Sequence, residues 1–301
     1  MSRLILVRHA QASFGRADYD QLSPIGEEQA RRLGAHWAGL GSVIDQVFIG
    51  PRLRHRRTAE LVGAAFSQAG LPWPEAVALP ELDEYAGLDV FQASLPQLTK
   101  SGFDPATLAA GLHPPAASST ELLTGLRGLD VSPRLESAEC FDPVSRDDPG
   151  CAGGFAEARA DSSGNVVPYD ACAEDRKSGR ARIREVGLKK FQDTLLLWVR
   201  GELTVPGVET WKEFRIRARR GLEKMVEGTA HGLRILAFTS TGPVAAAVDR
   251  AFNLDDERML EVSWQLRNTA VSEFVFSNPR FSLNTFNALP HLAAPELITL
   301  I

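Results

Sequence analysis

The chain has 301 residues, 44% of them apolar and 24% charged, enough for one large domain or a domain with a sizeable insertion. Its formal net charge of −5 provides no field that would attract nucleic acid or an anionic membrane, so any anion site must be built locally. No stretch approaches the roughly 18 apolar residues of a membrane span, and Cys140, Cys151 and Cys172 fit neither a disulfide framework nor a zinc site.

Leu4 to Val7 is an unbroken apolar run, as expected of a strand buried on both faces. After a polar turn at Ala17 to Ser23, Pro24 and Gly26 lead into Glu27-Glu28-Gln29. Ala30, Leu33, Trp37 and Leu40 then recur at helical spacing, behind acids that suit a helix start. Val47-Phe48-Ile49 predicts a second strand, followed by Gly50-Pro51 and a basic helix with the apolar face Ala59, Val62, Ala65 and Phe66. Strand, helix, strand, helix at this spacing predicts an α/β fold, a three-layer sandwich around a mostly parallel sheet.

From Ser101 to about Arg180 the chain turns rich in Gly, Pro, Ser, Ala and Asp, and periodicity fades. This stretch, 101–180, reads as a poorly regular insertion within a single domain spanning 1–301. Leu188, Phe191, Leu195 and Trp198 predict a helix, and Trp211, Phe214, Ala218, Leu222 and Met225 another. Arg234-Ile235-Leu236-Ala237-Phe238 predicts a third strand, ending in Thr239-Ser240-Thr241-Gly242-Pro243 ahead of an alanine-rich helix. Val271 to Phe276 and Phe281 to Phe286 alternate like two paired strands around Ser277-Asn278-Pro279. The insertion and its following helices, Tyr85 to about Gly228, are expected to cover the strand ends and set substrate choice.

In open α/β sheets, ligands bind beyond the carboxyl ends of the strands. Arg8 and His9 end the first strand, and Arg52, Arg54, Arg56 and Arg57 follow the second. Thr239 to Gly242 end the third. Guanidinium, imidazole, hydroxyl and helix-start amides are the groups that hold a phosphate. Each alone fits a surface turn or a solvated helix face equally well; their joint placement at three strand ends points to an anion site.

The same residues carry a family resemblance. "LILVRHAQAS" resembles the RHG signature of the histidine phosphatase superfamily, also called phosphoglycerate mutase-like. "LSPIGEEQARRLG" is similar to that family's first helix, and "GPRLRHRRTAEL" to its second-arginine segment, S-P-L-x-R-x-x-Q-T-A. "PELDEYAGLD" resembles the L-x-E-x-x-x-G segment that carries the acid, with the glycine one residue early. "QLRNTAVSEF" and "FNALPHL" are similar to the closing strands of many members. The resemblance covers Met1 to about Gly87 and Phe191 to Ile301.

What the resemblance implies is a phosphomonoester phosphatase that works through a phosphohistidine and needs neither metal nor other cofactor. His9 would be the nucleophile, and Arg8 and Arg54 would grip the non-bridging oxygens. Glu84 would protonate the departing oxygen and later take a proton from water. Arg52, Arg56 and Arg57 compete with Arg54 for its role, and Glu81 and Asp83 with Glu84. The implied partner is a phosphorylated substrate, either a small molecule or a phosphoprotein, and the expected location is cytoplasmic. Three departures fall in the phosphate pocket. Ala10 replaces the glycine after the histidine, and Gly15 aligns with the family's asparagine. Ser240 stands where the second catalytic histidine belongs, costing about 1–2 kcal/mol of transition-state stabilisation if a neutral hydroxyl replaces an imidazolium. Ser240 and the helix-start amide of Gly242 are then expected to bind the phosphoryl group. Of the remaining histidines, His55 is expected to point away from Arg54's site and His291 to be structural; His36, His113 and His231 are unplaced. The second expectation is a phosphate-ligand binding or regulatory protein, with the pocket kept and the chemistry weakened at Ser240.

Overall fold

The computed structural model describes residues 1–13, 20–100, 159–160, 166–167, 186–228, 230–277 and 279–300. The expected insertion, 101–180, lies outside them except for its two-residue strands β4 (Arg159–Ala160) and β5 (Val166–Val167), which pair antiparallel. The three cysteines, Gly15 and His113 also lie outside the described residues.

Six strands form the main sheet: β1 (Ser2–Arg8), β2 (Gln46–Ile49), β3 (Ala76–Ala78), β6 (Arg234–Thr239), β7 (Val271–Ser277) and β8 (Arg280–Ala288). Their order is β3-β2-β6-β1-β7-β8; the first four run parallel, and β7 and β8 are antiparallel additions at the β1 edge. The unbroken apolar runs of β1 and β6 have a simple cause. Alternate residues serve opposite faces, and both faces are covered. Ile5, Val7, Leu236 and Phe238 pack with Leu33 and Trp37 of α1 (Pro24–Gly39) and Val62 and Phe66 of α2 (Leu53–Gln68). Leu4, Leu6, Ile235 and Ala237 pack on the other side. There they meet α4 (residues 186–199), α5 (Trp211–Val226), α6 (Thr241–Phe252) and α7 (Asp256–Gln265). A further helix, α3 (Gly87–Lys100), follows a short 3-10 turn at Pro80–Leu82. The α/β sandwich is therefore as its sequence predicts.

Helices α3 and α7 were not predicted, and two smaller details also differ from expectation. Leu40 belongs to the predicted apolar face but is 68% exposed, because α1 ends at Gly39 and Leu40 is its cap. The edge strand β3 was not predicted. It has three residues, and Val77 at its centre is 52% exposed, so neither length nor pattern announces it.

This topology creates a crevice. After β1 the chain crosses to the α1–α2 face, whereas after the adjacent β6 it crosses to the opposite face with α6. The two connections diverge from neighbouring strand ends, which is the switch point at which open α/β sheets bind ligands.

Candidate active site

His9 is the first residue beyond β1 and its backbone is held from two sides. Its amide donates to the Thr239 carbonyl (2.8 Å), and its carbonyl accepts from Asn268 Nδ2 (3.2 Å). Ala10 donates to Thr58 Oγ1 on α2 (3.1 Å), which itself donates to the Arg54 carbonyl (2.7 Å). Gln11 donates to the buried Gln29 side chain on α1 (2.9 Å). The start of α1 presses against this loop, and a Cβ on Gly26 would stand 2.1 Å from the Gln11 carbonyl oxygen. Only glycine fits that approach, which explains Gly26 in "LSPIGEEQ".

The His9 ring is 5% exposed, and its Nδ1 lies 2.7 Å from the Ala10 carbonyl. A carbonyl only accepts, so Nδ1 carries the proton and Nε2 keeps its lone pair. Burial holds the imidazole well below its ordinary range, followed by the charges of Arg54, Arg8 and His55; the Ala10 carbonyl acts the other way. At neutral pH His9 is therefore an uncharged ring with a free nucleophilic nitrogen beside two guanidiniums.

Arg54 is 6% exposed, and its Nη1 donates to Asp20 Oδ1 (2.7 Å). The other Asp20 oxygen accepts from the Leu53 amide (2.7 Å), so Asp20 caps α2, whose own N-cap Arg52 makes no side-chain cap bond. Arg8 Nη1 donates to the Leu266 carbonyl. The competing arginines have other partners or face solvent: Arg52 pairs with Asp83 (2.6 Å), Arg57 pairs with Glu27 (3.2 Å), and Arg56 is exposed.

The acids separate equally well. Glu81 pairs with Lys224 on α5, and Asp83 with Arg52. Glu84 reaches the start of α6: Oε2 accepts from the Thr241 amide (3.0 Å) and hydroxyl (2.8 Å), and Oε1 from the amides of Gly242 (2.8 Å) and Tyr85 (3.1 Å). Arg217 of α5 fixes the turn that carries it, donating to the carbonyls of Glu81 (3.1 Å), Asp83 (3.0 Å) and Glu84 (3.2 Å). Arg217 lies 133 or more positions from that turn, and no local signal marks it. The Gly242 amide, expected to face a phosphoryl group, here serves the Glu84 carboxylate. Thus both helix starts at the crevice, α2 and α6, are capped by a carboxylate from elsewhere in the chain.

The expectation for His55 needs correction. Its side chain points into the site: it is fully buried, its ring centroid is 5.6 Å from that of His9, and its Nε2 is 2.7 Å from Ser240 Oγ. Adjacent residues on a helix diverge by about 100°, yet both fit because the start of α2 is buried on two sides. Arg54 turns toward Asp20, and His55 toward β6. A readable signal existed: His55 lies at i−4, i−7 and i−11 from Ala59, Val62 and Phe66, on the same buried stripe. Burial, then Arg54 and Arg52, holds its imidazole well below the ordinary range, with the Gly50 backbone acting the other way. His291 bonds to Thr269 Oγ1 (2.9 Å) behind the strand ends.

Comparison with known proteins bears directly on this arrangement. The profile of the histidine phosphatase superfamily (branch 1) matches residues 4–95 and 181–289. No curated protein matches the chain. Among similar solved structures is Bacillus stearothermophilus YhfR, at 11% identity, covering 97% of this chain and 99% of that one with a TM-score of 0.51. Others are the α-ribazole phosphatase of Shigella flexneri (16% identity, 95% and 96% covered, TM-score 0.48) and an Entamoeba histolytica phosphoserine phosphatase in complex with 3-phosphoglyceric acid (14%, 97% and 99%, 0.46). The likeness to YhfR shows a shared fold. With more than half of its 301 residues matched, in the two stretches that build the sheet and its strand ends, this chain belongs to the histidine phosphatase superfamily.

Proposed function

We propose that the protein is a phosphatase that hydrolyses a phosphomonoester through a phosphohistidine at His9, without a metal ion. The observation that carries this reading is the state of His9: buried, uncharged, with Nδ1 committed to the Ala10 carbonyl, Nε2 available, and the charges of Arg54 and Arg8 acting on the ring. Nε2 attacks phosphorus, forming the N–P bond as the bond to the leaving oxygen breaks. The guanidiniums stabilise charge on the non-bridging oxygens, the task a metal ion performs in other phosphoryl transfers. Arg54 exchanges Asp20 for the phosphoryl group.

Glu84 supplies the proton to the leaving oxygen and takes one from the water that cleaves the phosphohistidine. The amides of Thr241 and Gly242 now hold its carboxylate. A phosphoryl oxygen binding there displaces the carboxylate from that cap toward the leaving oxygen. Family membership supports the same chemistry, and a phosphorylated small molecule is the substrate class we favour.

The test is hydrolysis of an aryl phosphate in the presence of chelator by the wild-type protein and His9→Ala. Metal-independent turnover that disappears in the variant is expected, with a phosphohistidine trapped by acid-labile, base-stable labelling of His9. Turnover that survives His9→Ala, or that vanishes with chelator and returns with metal, would falsify the reading.

A further inference from the structure

The mechanism above uses one of the two histidines at the strand ends. His55 is as deeply buried, and it occupies the apolar stripe of α2, where an aliphatic side chain would pack without a polar atom to satisfy. Ser240, its partner, is fully buried too. A serine at a helix N-cap ordinarily turns its hydroxyl onto the first amides of its own helix. Ser240 makes no such bond, because Glu84 caps α6 in its place. Its hydroxyl faces His55 instead, at 2.7 Å from Nε2. Ser240 also lies beside His9: the preceding Thr239 pairs with Arg8 in the parallel ladder and accepts the His9 amide. A hydroxyl and two imidazoles are thus gathered where the phosphorus would be attacked.

We propose that Ser240 and His55 act as one unit, in which His55 orients the Ser240 hydroxyl as a hydrogen-bond donor to a phosphoryl oxygen held against His9. This rests on the reading of His9 as the phosphoryl acceptor. Ser240 is the group that contacts the ligand, and His55 is a positioning residue. Between Nε2 and Oγ either atom can carry the shared proton when no ligand is bound. An anionic oxygen arriving at Ser240 draws the hydroxyl proton toward itself, and Oγ then accepts from Nε2–H. The ring proton of His55 moves from Nδ1 to Nε2, one N–H bond breaking as the other forms, so the pair as a whole neither gains nor loses a proton. The unit delivers a directed donor to a phosphoryl oxygen, from a residue type that alone would have used its hydroxyl to cap a helix.

The experiment is a double-mutant cycle on the affinity for inorganic phosphate, measured by calorimetry on wild type, Ser240→Ala, His55→Leu and the double variant, each checked for folding by circular dichroism. Each single change should weaken binding about tenfold, and the double variant should bind no more weakly than Ser240→Ala. His55→Gln, whose amide N–H can still donate to Oγ, should recover most of the loss. His55→Ala replaces His55→Leu in the cycle if that variant does not fold. In the wild type, phosphate should move the 15N resonance of His55 Nε2 toward its protonated value, and Ser240→Ala should abolish the change. Losses that multiply in the double variant, a His55→Leu protein of unchanged affinity, an unmoved His55 resonance or no phosphate binding by the wild type would each overturn the proposal. Aryl phosphate turnover measured alongside separates the two readings. A coupled cycle without His9-dependent turnover retires the hydrolase alone, and turnover with an uncoupled cycle retires the pair alone.

Discussion

Acidifying the protein from neutral pH to about pH 5 tests the burial of its histidines. His9 and His55 are held well below their ordinary range by burial and neighbouring guanidiniums, and His291 is lowered to about 4 by burial and then by His36. In the unfolded chain each returns to a value near 6.5. Below that value the unfolded state binds protons that the native state refuses, so stability is complete above it and falls as the pH falls. At about pH 5 His291, lowered to about 4 in the folded protein, costs about 2 kcal/mol, and His9 and His55 add losses of the same sign, against a total of about 5–15 kcal/mol for a folded domain. Glu27, Glu81, Glu213 and Glu257 are lowered from a carboxylate value of 4.5, so their losses begin only in more acid solution. Urea unfolding followed by tryptophan fluorescence at about pH 7.5 and about pH 5 reads the difference, for wild type and for His291→Gln. Glutamine can still bond to Thr269 but does not titrate. The wild type should lose stability on acidification, and the variant should lose about 2 kcal/mol less. Equal stability at both pH values, or the same loss in both proteins, would refute the burial argument.

Three substitutions probe the scaffold around His9. Gly26→Ala places a Cβ 2.1 Å from the Gln11 carbonyl oxygen, so the α1 start or the His9 loop must move. We expect a loss of about 1–3 kcal/mol, seen as a lower Tm, together with reduced turnover; an unchanged Tm would show that the approach is not tight. Glu84→Gln keeps the shape but weakens the α6 cap, costing about 1 kcal/mol in thermal unfolding, and should lower aryl phosphate turnover by about 10²–10⁴-fold. Wild-type turnover in that variant would remove Glu84 from the chemistry. Arg54→Lys loses the planar fork at a buried position and should lower kcat/KM about thirtyfold, leaving metal independence intact. An unchanged kcat/KM would reassign the clamp.

Much of the fold was readable because its causes are local. The runs Leu4 to Val7 and Ile235 to Phe238 could only be strands buried on both faces, and they are the two central strands of the sheet. The resemblance singles out Arg54 among four arginines, but its bond to Asp20 was not readable, since that depends on packing across the crevice. The same holds for Glu84 among three acids: Glu81 and Asp83 are occupied by Lys224 and Arg52, partners far along the chain. His55 was misjudged for a different reason. Adjacency to Arg54 argued against it, while its place on the stripe of Ala59, Val62 and Phe66 argued for burial, and burial prevailed.

The sequence by itself determined the α/β class, the strand ends that carry the candidate site, and the family, because period, turn residues and short motifs are properties of neighbouring residues. The tertiary structure decided what those strand ends contain. Asp20 caps α2, Glu84 caps α6, and Ser240 meets a histidine 185 positions away. Such pairings follow from the strand order, which brings β6 between β1 and β2 and turns the next helix to the opposite face. They are set by the packing of the whole sheet, so no window of the sequence contains them.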